Sequence, residues 1–434
     1  MDNNYKCYVI SFFIITSTFL FSNYSVSSSE LNGNTFLYVG GDGSGNYTKI
    51  QSAIDNANPG DTIFVFNGTY YEHVIIDKSI SLIGENKYTT GIDGNEWGDV
   101  VLITANNVSL SGFIVKNGGA YQGGGPEEEE KYQNDACIEI LSNNNQINEV
   151  ICSKSNYGIW IRDSFNNIIK NASIYSVYDG IWIINSSNCT LRNNTINGNG
   201  IVLDGDDLYD FHHDIDTSNK VNDGKPVYYY WNKTGITIPT DAGQVILAFC
   251  SNCTVEHLDI SDVTDGISLF YTITSTIQYN KIMRTTDFAI RLVHSDRNSI
   301  QNNELIENVF GIGFMSGGMW IYSYHGYSNE NKIKNNIIKD SNIYGVFLDK
   351  SNSNIFAENR FIHNGYEYNQ SSHVFFIDSY RNTYDKNYWD DYIGVTYKHL
   401  CFLPKIIKGY RHLCLINPNR ISLWLSFDWN PQLS

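Results

Sequence analysis

The chain has 434 residues, 29 basic and 46 acidic side chains, and a net charge of −17. That balance excludes a nucleic-acid partner, whose phosphates need a basic footprint, and argues equally against an anionic membrane surface. With 42% hydrophobic and 14% aromatic residues a large core is affordable, so disorder is excluded as well. Asn fills about one position in eight, Tyr and Gly are plentiful and Pro is scarce. This is the composition of strands and turns, not of helices.

Residues 7–21 form one apolar run, preceded by Lys6 and followed by the small polar residues Ser25 to Ser29. The pattern is that of a secretory signal over residues 1–29, cleaved or retained as an anchor. No later stretch is long and apolar enough to span a bilayer. Localisation is therefore expected to be secreted or cell-surface. Residues 46–57 then read as a short amphipathic helix, with Ile50, Ala53, Ile54 and Ala57 on one face. Asn58-Pro-Gly-Asp turns the chain into a strand at 62–66.

A repeat governs the rest. An apolar residue, polar residues that include Asn, and a second apolar residue recur from Ile147, Ile169, Leu191, Val255, Ile277, Ile300, Ile333 and Ile355. The spacings are 22, 22, 64, 22, 23, 33 and 22 residues. A second strand opens on glycine: Gly158, Gly180, Gly200, Gly266, Gly311 and Gly345 each precede an apolar alternation. Units of this length cannot bury their apolar residues alone, and stacking makes one core. The chain is thus expected to be all-β, a single-stranded right-handed parallel β-helix over residues 30–394. The helix caps one end, and residues 395–434, with Trp424, Phe427 and Trp429, cap the other. The cysteines stand mostly where other coils place Ile or Val, which assigns them to the core.

Three segments break the period, at 118–134, 204–242 and 315–329. All flank the glycine-opened strand, so they are expected along one edge of the rod. In register, the outward residues of that strand are Glu139, Trp160, Trp182 and Val202. Trp160 and Trp182, with Arg162, Asp163 and Arg291 nearby, make the candidate glycan face, since an indole offers an apolar surface to a sugar ring. The alternative is that an insertion covers both indoles. Asp204, Asp206 and Asp207 are the candidate carboxylates for sugar chemistry, which needs paired acids. The bland reading of the Asp204–Asp216 stretch is a solvated acidic loop. His212 and His213 are the candidates for a metal, and Glu127–Glu130 for a loose Ca2+ contact.

Leu37-Tyr-Val-Gly, Tyr47 to Ile54, Pro59-Gly-Asp-Thr-Ile and Gly68-Thr-Tyr resemble the opening of secreted proteins of the pectin lyase-like superfamily. Ile215-Asp-Thr-Ser-Asn219, Gly224 to Tyr230, Ala242 to Leu247 and Asn387-Tyr-Trp-Asp-Asp-Tyr resemble NosD-type (CASH-domain) proteins, common in archaea. The resemblance implies a right-handed parallel β-helix and a carbohydrate-associated, extracytoplasmic role. It also implies a link to copper, which the donor residues here disfavour. Four readings follow: a surface β-helix that binds polysaccharide or glycoprotein without catalysis; a polysaccharide lyase, hydrolase or epimerase; a periplasmic copper-handling protein; and a structural envelope or adhesion rod.

Overall fold

The computed structural model describes residues 35–119, 135–315, 327–366, 373–392, 396–397, 400–401, 404–412 and 421–432. The signal segment, Glu127–Glu130 and most of the insertions at 118–134 and 315–329 lie outside them. Strands are almost the sole regular structure of the described chain, and successive coils stack in parallel. Leu110 pairs with Ile147, Ile147 with Ile169 and Ile169 with Leu191. After the second insertion the row resumes as Val255, Ile277, Ile300, Ile333, Phe356 and Tyr384. The architecture is a parallel β-helix, as the period implies. One lead residue is displaced: Phe356 continues the buried row, while Ile355 is exposed. A one-residue shift in a strand turns every side chain to the other face.

The core is a file of aliphatic residues at equivalent positions. Ile138, Ile159, Ile181 and Ile201 form one row, and Ile267, Ile290, Ile312, Val346 and Val374 continue it. Burying each such side chain stabilises the fold by about 1.5–3 kcal/mol. The glycines that open these strands have a steric cause. A Cβ on Gly311 would meet Gly345 O at 2.3 Å, and one on Gly180 would meet Gly200 O at 2.5 Å. At these coils the neighbouring backbone leaves no room for a Cβ, although Cys137 and Ala289 stand at the same position on other coils.

Asparagine supplies the polar counterpart of the core. Asn280 Nδ2 donates to Asn303 Oδ1 at 3.0 Å, Asn303 to Asn336 at 2.9 Å, and Asn336 to Asn359 and Asn359 to Asn387, each at 3.0 Å. Each amide also donates to a carbonyl, as Asn336 does to Ile300 O at 2.9 Å, and accepts a backbone N–H, as it does from Asn303 at 2.9 Å. The ladder ends on Asp428, whose Oδ2 accepts from Asn387 N, Asn387 Nδ2 and Trp389 Nε1, all at 3.1 Å. A carboxylate accepts without needing to donate, so it closes a chain of donors.

The N-terminal helix spans Ile50–Asn56 and buries Ile50, Ala53 and Ile54. Its ends are satisfied from the next coil. Glu72 accepts the N–H groups of Ile50 and Gln51 at 2.9 and 3.1 Å, and Lys78 Nζ donates to the carbonyls of Ile54, Asp55 and Ala57 at 2.8–3.0 Å. An acid at the N-terminus and a base at the C-terminus also suit the helix dipole. The adjoining strand is Thr62–Val65.

The segment 204–242 is more regular than its broken period implies. Asp214–Ile215 and Lys220–Val221 still pair in parallel with the preceding coil. The chain then reverses, and Lys225–Trp231 runs parallel to Gln244–Ala248 of the next coil. At the far end, Lys405–His412 and Ile421–Asp428 form an antiparallel hairpin on the last coil. Trp429 does not pack this end as expected; it is 71% exposed.

Candidate functional site

The outward row of the glycine-opened strand has the expected register. Glu139 pairs with Trp160, Trp160 with Trp182 and Trp182 with Val202. The two indoles stack at 5.4 Å and 11°. They are not an open platform, however. Trp160 is 8% exposed and Trp182 5%, packed with Tyr157, Ala136, Ile184 and Val202 in a cluster of their own. Trp182 Nε1 donates to Asp204 Oδ2 at 2.8 Å. The expectation of a solvent-facing pair is therefore corrected: the indoles form a second, outer core.

The charged candidates divide in the same way. Arg162 is partly exposed, lies over the Trp160 ring at 4.7 Å and binds Glu139 at 2.6 Å. Asp163 is exposed in a left-handed turn and accepts a bond from Asn185 Nδ2 at 3.3 Å. Arg291, expected on the same face, is 1% exposed. It pairs with Asp204 and, at 3.3 Å, with Asp265. Asp204 is thus not a free carboxylate of an acidic loop, and it parts from Asp206 and Asp207, which are exposed.

Sequence reasoning missed the charge excess around Arg291. Asp179 accepts from Thr264 Oγ1 at 2.9 Å, and Asp265 accepts from Phe288 N at 3.2 Å. Asp179, Asp204, Asp265 and Asp287 are all buried about one guanidinium. Burial, and then the neighbouring carboxylates, push Asp179 up to about 7 and Asp287 well above the usual range. A second acidic cluster lies on earlier coils. Asp99 is pushed up to about 8, first by burial and then by its hydrogen bond to the Glu139 carboxyl. These groups keep protons near neutrality because the site cannot solvate so many charges.

A row of rings stands beside the second insertion, and it was also missed. Phe249 stacks on Tyr271 at 4.7 Å and 10°, and Tyr271 on His294 at 4.4 Å and 5°. Trp231 and His212 extend the row at 6.4 and 4.5 Å. All five rings are half-buried. The turn after this strand holds Asp163, Asn185 and Asn232 on earlier coils, and Phe249, Tyr271 and His294 on the next three. Every one has a positive φ, between 47° and 55°. Asn, Asp and His tolerate that conformation, whereas Phe and Tyr rarely adopt it. The one-turn 3-10 helix Leu208–Phe211 forms the wall of the row. Phe211 anchors it, buried against Phe270 at 4.5 Å, and leaves Tyr209 75% exposed. Tyr271 Oη donates to Asp206 O at 3.4 Å.

The metal candidates do not converge. His213 is buried, with Nδ1 accepting from Cys189 N at 3.3 Å and Nε2 donating to Asp210 O at 2.8 Å. Both nitrogens are committed, and burial pushes the ring down to about 4, so it stays neutral. His212 Nδ1 instead faces Asn188 Oδ1 at 2.7 Å. Among the described residues, one group of three donors lies within 4.8 Å: His373, Asp390 and Asp391. Its histidine is turned the wrong way. Asn364 presents Nδ2 to His373 Nδ1 at 3.2 Å, and Ile338 O and Ser341 N fix that amide at 2.9 and 3.0 Å. Nδ1 must therefore offer a lone pair, which leaves the ring hydrogen on Nε2. Nε2 is the atom facing Asp390 and Asp391, at 2.9 and 3.2 Å. That hydrogen occupies the direction a metal would need. A ligating histidine donates from its other nitrogen, and Asn364 gives it nothing to donate to. The residues do not fit copper, which also wants sulfur or several imidazoles.

Among the described residues, no helix is long and apolar enough to cross a membrane. No curated protein matches the chain. Among solved structures, the chain is similar to an alginate lyase complex with trisaccharide, at 12% identity over 92% of each chain and a TM-score of 0.37. It is similar to a family 28 exopolygalacturonase of Yersinia enterocolitica, at 11% identity over 81% of this chain and 78% of that one, with a TM-score of 0.36. The catalytic domain of an alpha-1,3-glucanase in complex with tetrasaccharides gives 15% identity over 80% and 69%, with a TM-score of 0.39. Residues 212–399, from the second insertion to the last coil, match the family model described as periplasmic copper-binding protein (NosD).

Proposed function

We propose that this is an extracytoplasmic β-helix protein that binds polysaccharide through the ring row at Phe249, Tyr271 and His294, without catalysis. The observation that carries the reading is the conformational cost of that row. Three successive coils place an aromatic residue where the backbone is left-handed and earlier coils use Asn or Asp. That conformation costs Phe249 and Tyr271 about 1–3 kcal/mol each, strain of the kind that clusters at ligand sites. A half-exposed apolar row, rimmed by polar side chains, is the form a ligand groove takes. Tyr209 adds an exposed ring at its edge.

The other readings have less support. Asp204 is locked by Arg291 and Trp182, so it is a poor general acid or base. Copper handling lacks a converging donor set among the described residues. The test is binding of the whole chain to a panel of oligosaccharides, beside the triple variant Phe249→Asn, Tyr271→Asn, His294→Asn. Binding by the native chain and its loss in a folded variant are expected. Unchanged binding by the variant would remove the ring row from the function.

A further inference from the structure

We propose that the ring row selects against acidic sugars, and that its ligand is a polymer of amino sugars with free ammonium groups. This rests on the glycan reading above and names the substrate class of the same site. The rings supply the contact surface, and the charge around them supplies the choice.

Charge elsewhere on the same segment is neutralised. Asp204 is paired with Arg291, and Asp214 and Asp216 with Arg192. The wall of the ring row is treated differently. Asp206, Asp207 and Asp210 have no Lys or Arg partner among the described residues. Asp210 Oδ2 accepts the N–H groups of Asp206 and Asp207 at 3.0 and 2.9 Å, and the Asp207 side chain completes the capping box. These bonds fix the Asp207 and Asp210 carboxylates without a cation, and the exposed Asp206 carboxylate stands beside them. The field reaches the rings: burial, and then Asp206, Asp207 and Asp210, push the Tyr271 hydroxyl up to about 12. Lys233, two residues past Trp231, and Arg297, three past His294 and 4.0 Å from Glu330, are exposed bases near the ends of the row. The net charge of −17 adds long-range repulsion toward any polyanion.

An oligouronate laid along Phe249, Tyr271 and His294 would bring carboxylates against this wall. An amino sugar would bring an ammonium group to it. An exposed ion pair alters affinity by up to about fivefold, so each ammonium seated at the wall gains that much over its acetylated form. Selectivity of this kind arises from repulsion of the wrong ligand as much as from attraction of the right one.

The test is calorimetric titration of the full chain with three hexamers: glucosamine, N-acetylglucosamine and galacturonate. Titrations at about 50 mM and about 300 mM salt separate charge from contact. The expected order is glucosamine tightest, its acetylated form weaker, and galacturonate without measurable binding. High salt, or Asp206→Asn with Asp207→Asn, should abolish the difference between the first two; Asn retains the capping oxygen. Equal binding of the first two by the native chain at low salt, or preference for galacturonate, would overturn the selectivity. Failure of all three hexamers to bind would instead overturn the glycan reading on which it rests.

Discussion

Arg291 and Asp204 are 87 residues apart and form a buried ion pair across the second insertion. The pair joins the coil that ends at Asp204 to the coils that resume after Ala242. It is reinforced by Thr264 on Asp179 at 2.9 Å and by Tyr178 Oη on Thr286 O at 3.1 Å. The insertion interrupts the glycine-opened strand row here, so these polar contacts add to the apolar core that runs through the junction.

Arg291→Leu should therefore be severely destabilising. It leaves Asp204 and Asp265 buried without a cation, a change that typically costs about 3–5 kcal/mol. Urea denaturation measures it. Adding Asp204→Asn and Asp265→Asn to Arg291→Leu should recover much of the loss, because the unpaired charges go with the arginine. A loss below about 1 kcal/mol for the single variant would mean that the junction is held by packing alone.

Buried carboxylates in this cluster and the one on earlier coils set an unusual pH dependence. Asp179, at about 7, and Asp99, at about 8, lie above the ordinary unfolded value of about 3.9. Between about pH 4 and these values the folded state retains protons that the unfolded state has released. Stability should therefore fall as pH rises through that window, by up to about 1.4 kcal/mol per unit for each group. Asp391 acts in the opposite sense. Burial alone would raise it, but His373 and Lys405 outweigh burial and bring it down to about 2. Its contribution is present above about pH 4 and is lost as pH falls through about 2. Thermal melts from pH 3 to 9 should peak on the acid side of neutrality, and Asp179→Asn should flatten the decline. A melting temperature that climbs from pH 5 to 8 would contradict this reading.

Asn336 and Asn335 are adjacent and should respond in opposite ways. Asn336→Ala removes the side-chain partner of Ile300 O and Asn303 N, and costs the Asn303 and Asn359 amides one ladder bond each. Each orphaned group costs about 1–3 kcal/mol, so a loss of several kcal/mol in denaturant titration is expected. Asn335 is exposed, with a φ of 56°, a conformation glycine adopts freely. Asn335→Gly should fall within about 0.5 kcal/mol of the native chain. Equal losses at the two positions would show that the ladder bonds are not what Asn336 supplies.

What could be read from the sequence follows the reach of the repeat. Alternation within a strand placed Trp160 opposite Trp182, because in-register coils align equivalent residues. It could not give their burial, which depends on Tyr157 and on the Asp204 that binds Trp182. The link from Asp204 to Arg291 was hidden because it crosses the break in the period. Ile355 misled because an apolar residue precedes Phe356, and spacing alone does not choose between neighbours. The ring row was within reach: Phe249, Tyr271 and His294 are 22 and 23 residues apart. Aligning the turn position across coils, rather than the strand, would have exposed three aromatics among Asp and Asn.

Those aromatics lead to the prediction that best separates function from stability. Tyr271 has a φ of 48°, where Asn185 occupies the equivalent turn with a φ of 47°. If the fold alone dictated the residue, Asn would serve better, since its short side chain tolerates this region. Tyr271→Asn loses the stacking on Phe249 and His294, worth about 0.5–1.5 kcal/mol for each ring pair. It relieves backbone strain of about 1–3 kcal/mol. The lost stacking, with the long hydroxyl bond to Asp206 O, largely offsets the relieved strain, so the variant should melt within a few degrees of the native chain while losing glycan binding. A steep drop in melting temperature would instead make the ring row a structural ladder, with its aromatics retained for their stacking.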